Sequence, residues 1–320
     1  MADEFEVVQH PQCSHMNLFV VTVAYRTPHL HRDFELNYVL SGSVVLSTPQ
    51  GSHTAGPGEL FLLNPNQLHE LRTGGGEATL LCLQVAPAFF RQAAPALGEF
   101  CFDEAFPLRC MSAHARQETL ELLADLALHY LEEGPCHALR CQGKLSLLFA
   151  ALLEAVPHRP VSGEEALALG KRAERITRLL DYVDANYMHK VTLSGFAAQE
   201  GLSLSYLSRF VRDNLHQTFQ DYVATLRFHQ ACRLLLTSSK RTIDICYESG
   251  FSDPRYLNRL FWQNTGMTPE KYRRTYAGPP PDAVHVHHSM HSRQTYYTRE
   301  RNLQLVRSLR DQLATQRCAP

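Results

Sequence analysis

The sequence predicts an α+β multidomain protein: an N-terminal all-β barrel followed by two helices, then a C-terminal all-α domain holding two helix-turn-helix units. Three observations carry this. Residues 18–85 read as short apolar or alternating runs separated by Gly, Pro, Asn and Ser, the texture of strands and tight turns. From about residue 115 apolar residues recur at three and four, the helical period. A glycine turn between two short helical patterns then occurs twice, at Gly201 and at Gly250, 49 residues apart.

The strands are read from LFVVTVAY, ELNYVLSG, SVVLSTP, GELFLLNP and ATLLCLQVA. Leu120, Leu123, Ala127 and Leu131 then mark one amphipathic helix. Leu145, Leu148, Phe149, Leu152 and Val156 mark a second, with EEGPCH between them as the break. This pair either packs on the barrel or pairs with another subunit. HRPVSGEE reads as a linker by composition, and AGPPPD ends the second helical region. The expected division is a barrel over 1–108, a helical dimerisation or packing segment over 109–157, and a linker over 158–170. The all-α domain then spans 171–276, and a partly disordered tail covers 277–320. Within that tail 299–316 has helical character, while His285, His287, His288 and His291 read as solvated or as weak metal ligands.

A chain of 320 residues is long enough for two cores. No apolar run approaches the length of a transmembrane helix, and the acidic start MADEFEVV lacks the features of a signal peptide. Nine cysteines without close pairing read as reduced thiols, so a cytoplasmic protein with no membrane partner is expected. The net charge of -1 hides an asymmetry: residues 1–170 carry 9 Lys and Arg against 19 Asp and Glu, whereas residues 171–276 carry 16 against 10. A basic all-α segment suits a polyanion, because Lys and Arg displace counterions from phosphates.

In the first unit Thr192 is placed to cap a short helix bearing Leu193, Phe196 and Ala197. Gly201 makes the turn, and Ser203 caps a second helix with Leu204, Leu207, Phe210 and Val211 inward. Ser205, Ser208, Arg209 and Arg212 then fall outward, side chains of the kinds that reach base edges and phosphates. In the second unit Thr242 precedes Ile243, Ile245 and Cys246, Gly250 turns the chain, and Ser252 is the expected cap before Pro254. Leu257, Leu260 and Phe261 face inward; Arg255, Asn258, Arg259 and Trp262 face outward. A helix from Phe219 to Leu236 joins the units, and Thr268-Pro269 opens a last one. Two recognition helices held by one linking helix can sit about one DNA turn apart, roughly 34 Å.

Residues 192–273 resemble the DNA-binding domain of AraC/XylS-type regulators through TLSGFAAQEGLSLSYLSRF, FQDYVATLRFHQACRLLL, TIDICYESGFSDPRYLNRLF and TGMTPEKYRR. The resemblance implies that Ser205, Ser208 and Arg209 enter one major groove of double-stranded DNA, with Arg212 on the same face. It places Arg255, Tyr256, Asn258 and Arg259 in the next groove. Two departures stand out: His216 where that family has glycine, and Trp262 where it has a basic residue.

In the barrel, His29 and His31 are two apart and share a strand face, with Glu35 on that face if the strand stays regular. His69 can approach from a facing strand. Three imidazoles and a carboxylate suit Zn, Fe, Mn, Ni or Cu. The pattern H-x-H-x3-E-x6-G and the segment GPGELFLLNPNQLH resemble cupins, and AraC/XylS-type regulators commonly carry such a cupin-like barrel as effector domain. His29, His31, Glu35 and His69 are therefore expected to hold a small-molecule effector; no cofactor is required, and a divalent metal or plain packing are the other readings. Glu35 paired with Arg32 or Arg72 would be the purely structural version. A homodimer through the two amphipathic helices is expected, and a chain that gives a third of its length to a DNA reader is expected to be a regulator rather than an enzyme; the family resemblance implies an activator, acting on RNA polymerase. Its rivals are a metal-dependent cupin enzyme with a DNA-docking module, and a regulator controlled by a protein partner.

Overall fold

The computed structural model describes residues 13, 15–97, 99–215, 217–276, 283–288 and 291–317. The strands are β1 (Met16–His29), β2 (Phe34–Ser41), β3 (Val44–Thr48), β4 (Gly51–Ala55), β5 (Leu60–Leu63), β6 (His69–Arg72), β7 (Ala78–Val85), β8 (Phe100–Phe102), β9 (His158–Pro160), β10 (Ala283–His288) and β11 (Ser292–Tyr297). The first seven follow the order β4-β3-β6-β1-β7-β2-β5, all antiparallel, and form a nearly closed barrel. β4 and β6 were not expected as strands, because GSHTA and HELR carry too few apolar residues to show a period.

Side-chain alternation divides the sheet into two faces. On β2, Phe34, Leu36 and Tyr38 join the apolar layer shared with the helices, whereas Val39 belongs to a second cluster with Val21, Val23, Leu46, Phe61, Leu63 and Leu80 inside the barrel. Glu35 and Asn37 lie on that inner face, and Gln84 pairs with Glu35 across β7. The barrel lumen is thus apolar at one end and polar at the other.

The helices are α1 (Ala88–Ala93), α2 (Ala113–Glu132), α3 (His137–Ala155), α4 (Gly163–Asn186), α5 (Leu193–Glu200), α6 (Leu204–Leu215), α7 (Phe219–Thr237), α8 (Thr242–Glu248), α9 (Pro254–Thr265), α10 (Pro269–Thr275) and α11 (Arg299–Arg317). α2 begins at the Ser112 cap, whose hydroxyl accepts from the Ala115 N–H at 3.2 Å. Leu123, Leu126 and Ala127 of α2 and Leu145, Leu148 and Leu152 of α3 are buried on the barrel's outer face.

Two expectations change. The stretch 158–170 is not an open linker: His158–Pro160 pairs with β8, and α4 starts at Gly163 behind the Ser162 cap. Polar composition there reflects an exposed strand and helix start rather than irregular chain. Likewise residues 291–317 are not a solvated tail. β11 adds to β1 with Val21 opposite Tyr296, and α11 lies along α2. Only Val306, Leu309 and Leu313 of α11 are buried apolar residues, a stripe too narrow to stand out in an Arg-rich segment. Asp125 of α2 is the polar anchor, 2.7 Å from Lys144 on α3 and 2.7 Å from Arg310 on α11.

The C-terminal helices form two cores. One gathers Ile176, Leu179, Leu180 and Val183 of α4 with Phe196, Leu207, Val211 and Tyr222, and it also receives Leu30 and Leu68 from the barrel. The other holds Phe228, Leu235, Ile245, Cys246, Leu257, Phe261 and Tyr272. α7 spans both, starting from a capping box between Thr218 and Asp221.

Candidate nucleic-acid interface and barrel site

α5 and α6 are joined by Gly201 at φ +65°, and α8 and α9 by Gly250 at φ +83°. Thr192 caps α5 through the Gly195 N–H at 3.1 Å, and Ser203 caps α6 through the Tyr206 N–H at 3.2 Å. At α9 the cap is Asp253, which accepts from the Arg255 N–H at 2.8 Å, so Ser252 lies one residue outside it. Thr268 caps α10 ahead of Pro269. At Gly250 the chain passes so close to α4 that a Cβ would lie 2.8 Å from the Tyr187 carbonyl oxygen, so packing as well as φ demands glycine.

On α6, Ser205, Arg209 and Arg212 are exposed and Ser208 is half-buried. Together with Leu204 and Asp213 they line an open concavity. Leu204, expected inward, is 50% exposed because it sits at the helix start, clear of the core formed by Leu207 and Val211. Arg212 Nη2 donates to Ser208 Oγ at 3.3 Å. On α9, Arg255, Tyr256, Asn258 and Arg259 are exposed, while Leu257 and Phe261 are buried and Leu260 is half-buried. The Arg259 guanidinium lies 4.7 Å from the Tyr256 ring centroid, which holds it over an aromatic face. Trp262 is 59% exposed on the same helix. His216 lies outside the described residues. Among the described residues Arg209 and Arg259 make no ion pair, unlike Arg178 with Glu200 or Arg241 with Asp244. Two basic side chains near these faces were not expected there from the sequence, in which Arg72 figured only as a partner for Glu35. Arg175 of α4 donates to the Tyr206 hydroxyl at 2.7 Å, and Arg72 of β6 shares a groove with Tyr256, Arg259 and Asn264.

In the barrel, His29, His31, Glu35 and His69 are all buried and come together. His31 Nε2 lies 2.8 Å from Glu35 Oε2. The ring centroids of His29 and His69 are 4.1 Å apart, and those of His31 and His69 5.2 Å apart. Each imidazole is oriented by its Nδ1: His29 on the Thr27 carbonyl at 2.9 Å, His31 on that of Asp33 at 3.0 Å, His69 on that of Gln67 at 2.9 Å. The sequence pointed to the four residues but not to the two amides that orient the carboxylate. Asn37 Nδ2 donates to Glu35 Oε1 at 2.7 Å and Gln84 Nε2 to Oε2 at 2.9 Å. Their signal was polar residues at inward positions of otherwise apolar strands. Arg72 pairs with Glu70 at 2.7 Å rather than with Glu35.

Burial would raise the Glu35 carboxyl, but the charges and hydrogen bonds of His31, with His69 and Asn37, hold it well below the usual carboxylate range. Burial, then His69, Arg26 and His31, push His29 well below the usual imidazole value. Ligand atoms of His31, Glu35 and His69 lie within 4.8 Å of one another, so these residues fit a divalent ion, with His29 beside them. Nitrogen-rich donors match a transition metal rather than Mg or Ca.

A profile described as an AraC-like ligand binding domain matches residues 22–167, and one described as a helix-turn-helix domain matches residues 196–275. The chain is 24% identical over 231 residues to an uncharacterized HTH-type transcriptional regulator, YbfI of Bacillus subtilis, covering 72% of this chain and 80% of YbfI. Among solved structures, ToxT from Vibrio cholerae is 14% identical over 83% of this chain and all of that one, with a TM-score of 0.40. The C-terminal domain of the response regulator yesN from Fusobacterium nucleatum is 30% identical, covering 31% of this chain and 98% of that domain, with a TM-score of 0.30. With a ligand-binding domain of this type followed by a helix-turn-helix domain, the chain belongs to the AraC/XylS-type transcriptional regulators.

Proposed function

We propose that this regulator binds double-stranded DNA through Ser205, Ser208, Arg209 and Arg212 in one major groove and Arg255, Tyr256, Asn258 and Arg259 in the next. The supporting observation is that two capped helices, each ending a glycine turn, present Arg209 and Arg259 exposed and outside any ion pair among the described residues. Selection from a random DNA library by the full chain tests it. The expected product is a site with two half-sites about one helical turn apart, and its recognition should fail when Arg209 and Arg259 are both replaced by alanine.

The barrel residues His29, His31, Glu35 and His69 are proposed to hold a small effector whose binding shifts the two-domain protein between conformations. The division at 1–108, 109–157, 158–170, 171–276 and 277–320 is proposed for function, with residues 292–297 and 299–317 of the last segment packed on the barrel and its helices. Among the described residues no helix is long and apolar enough to cross a membrane. Activation through RNA polymerase, a homodimer and a cytoplasmic location complete the proposal. Transcription in vitro from a promoter carrying the selected site tests the sign of regulation.

A further inference from the structure

We propose that two arginines from outside the helix-turn-helix units, Arg72 of the barrel and Arg175 of α4, flank the recognition helices and bind DNA phosphates on the rims of the two major grooves. This rests on the reading of α6 and α9 as DNA-reading helices, and it gives the barrel a direct contact with DNA.

Strand pairing places Arg72. On β6 it lies opposite Tyr25 of β1, and opposite residues of an antiparallel pair project to the same side of the sheet. Tyr25 stacks on His229 of α7. Arg72 therefore leaves the barrel towards the same helix, while its neighbour Leu71 belongs to the barrel's inner cluster. It emerges in a groove of about 290 Å³ lined by Thr225 and His229 of α7 and by Tyr256, Arg259 and Gln263 of α9. Its side chain is 46% exposed and is held at one end, where Nη2 lies 2.7 Å from the buried Glu70 carboxylate. Asp221 also lines the groove, but its carboxylate accepts from the Thr218 hydroxyl at 2.7 Å in the cap of α7. Two guanidiniums thus share one concavity beside α9, and one of them comes from the acidic half of the chain.

The first unit repeats the arrangement with a different donor. Tyr206 and Tyr256 lie 50 residues apart, and each stands three residues before the exposed arginine of its helix, Arg209 or Arg259. Arg175 reaches α6 from α4. Its Nη1 donates to the Tyr206 hydroxyl at 2.7 Å, and its guanidinium lies 5.6 Å from that ring's centroid. Its Nε has no hydrogen-bond partner among the described residues.

Dimensions turn this placement into a contact. A helix with its side chains is about 10–12 Å across, and the major groove is about 12 Å wide. An inserted recognition helix therefore brings the phosphate rims against whatever stands beside it. A guanidinium at that position meets phosphate oxygens in a geometry suited to paired hydrogen bonds. Contacts of this kind add affinity and register without reading sequence.

The test titrates the full chain with the selected duplex and with an unrelated duplex at several salt concentrations. Arg72→Ala and Arg175→Ala should each weaken both duplexes by the same factor and lower the slope of log affinity against log salt by about 0.9. Arg72→Lys should restore the slope, because a point charge is enough for it. Glu70→Gln releases Arg72 and should strengthen binding, and this gain should vanish in the Arg72→Ala background. An equal gain in both backgrounds is a general charge effect and overturns the role of Arg72. So does an Arg72→Ala chain that loses urea stability with its salt slope intact, since Arg72 then serves only to neutralise Glu70; DNA recognition by α6 and α9 still stands. An unchanged slope for Arg175→Ala overturns the role of Arg175. A wild-type chain that selects no DNA overturns the regulator reading itself, and the flanking contacts with it.

Discussion

The Tyr25 ring of β1 lies stacked on the His229 imidazole of α7, with centroids 3.6 Å apart and planes 11° from parallel. A barrel strand is thereby joined to the helix that spans both helix-turn-helix cores. Around this contact, the Tyr276 hydroxyl donates to the Gly75 carbonyl at 3.4 Å, and His291 lies 2.9 Å from Asp184 of α4. Replacing Tyr25 by alanine should loosen the barrel from the helices. In a double-mutant cycle with His229→Ala, urea unfolding should return a coupling of about 0.5–1.5 kcal/mol for the stacked pair. A coupling of zero would mean that the rings only fill space.

Arg209→Ala and Arg259→Ala are each expected to cost roughly 1–3 kcal/mol of specific DNA affinity and to relax preference at a single base position. Arg212→Ala, whose guanidinium already bonds Ser208, should instead weaken binding to all sequences and flatten the salt dependence by about one phosphate's worth. Gel-shift titrations at several salt concentrations separate the two behaviours. Trp262 is the chain's only tryptophan and stands 59% exposed on α9, so its fluorescence should change when DNA is added.

The two turn glycines are predicted to differ. Gly201 has open space where a Cβ would go, so Gly201→Ala should cost only the left-handed backbone, about 1–2 kcal/mol. Gly250→Ala adds a Cβ at 2.8 Å from a backbone oxygen and should cost distinctly more. Thermal unfolding of the two variants side by side checks the order.

The Asp125 anchor sets a pH dependence. Burial would raise this carboxyl, but hydrogen bonds from Lys144 and Arg310 and their charges bring it below its ordinary value of 3.8. The unfolded chain therefore takes up this proton first as pH falls. The anchor's contribution is complete above the ordinary value and is lost as pH drops through the lowered one. Asp125→Asn should make urea stability near neutral pH lower and its fall in acid shallower. Protease cleavage within α11 should rise in the variant at neutral pH.

Much of the fold was legible because it obeys a period. The apolar runs of β1, β2, β5 and β7 and the spaced leucines of α2 and α3 announce their elements. The paired glycine turns place the outward arginines of α6 and α9. What stayed hidden depends on partners distant in sequence. β6 has four residues and gains its meaning from β1 and β3, and α11 buries three apolar side chains against a helix about 180 positions earlier. In the barrel site, the spacing of His29, His31 and Glu35 pointed to a shared face. The Asn37 and Gln84 amides that aim the carboxylate became visible only when β7 was laid beside β2.

The strand running beside Val21 comes from residues 292–297, after the last DNA-reading helix. A ribosome therefore releases every helix-turn-helix segment before the barrel can acquire that edge, and loss of residues 292–297 would strip the barrel of it while leaving those segments in place.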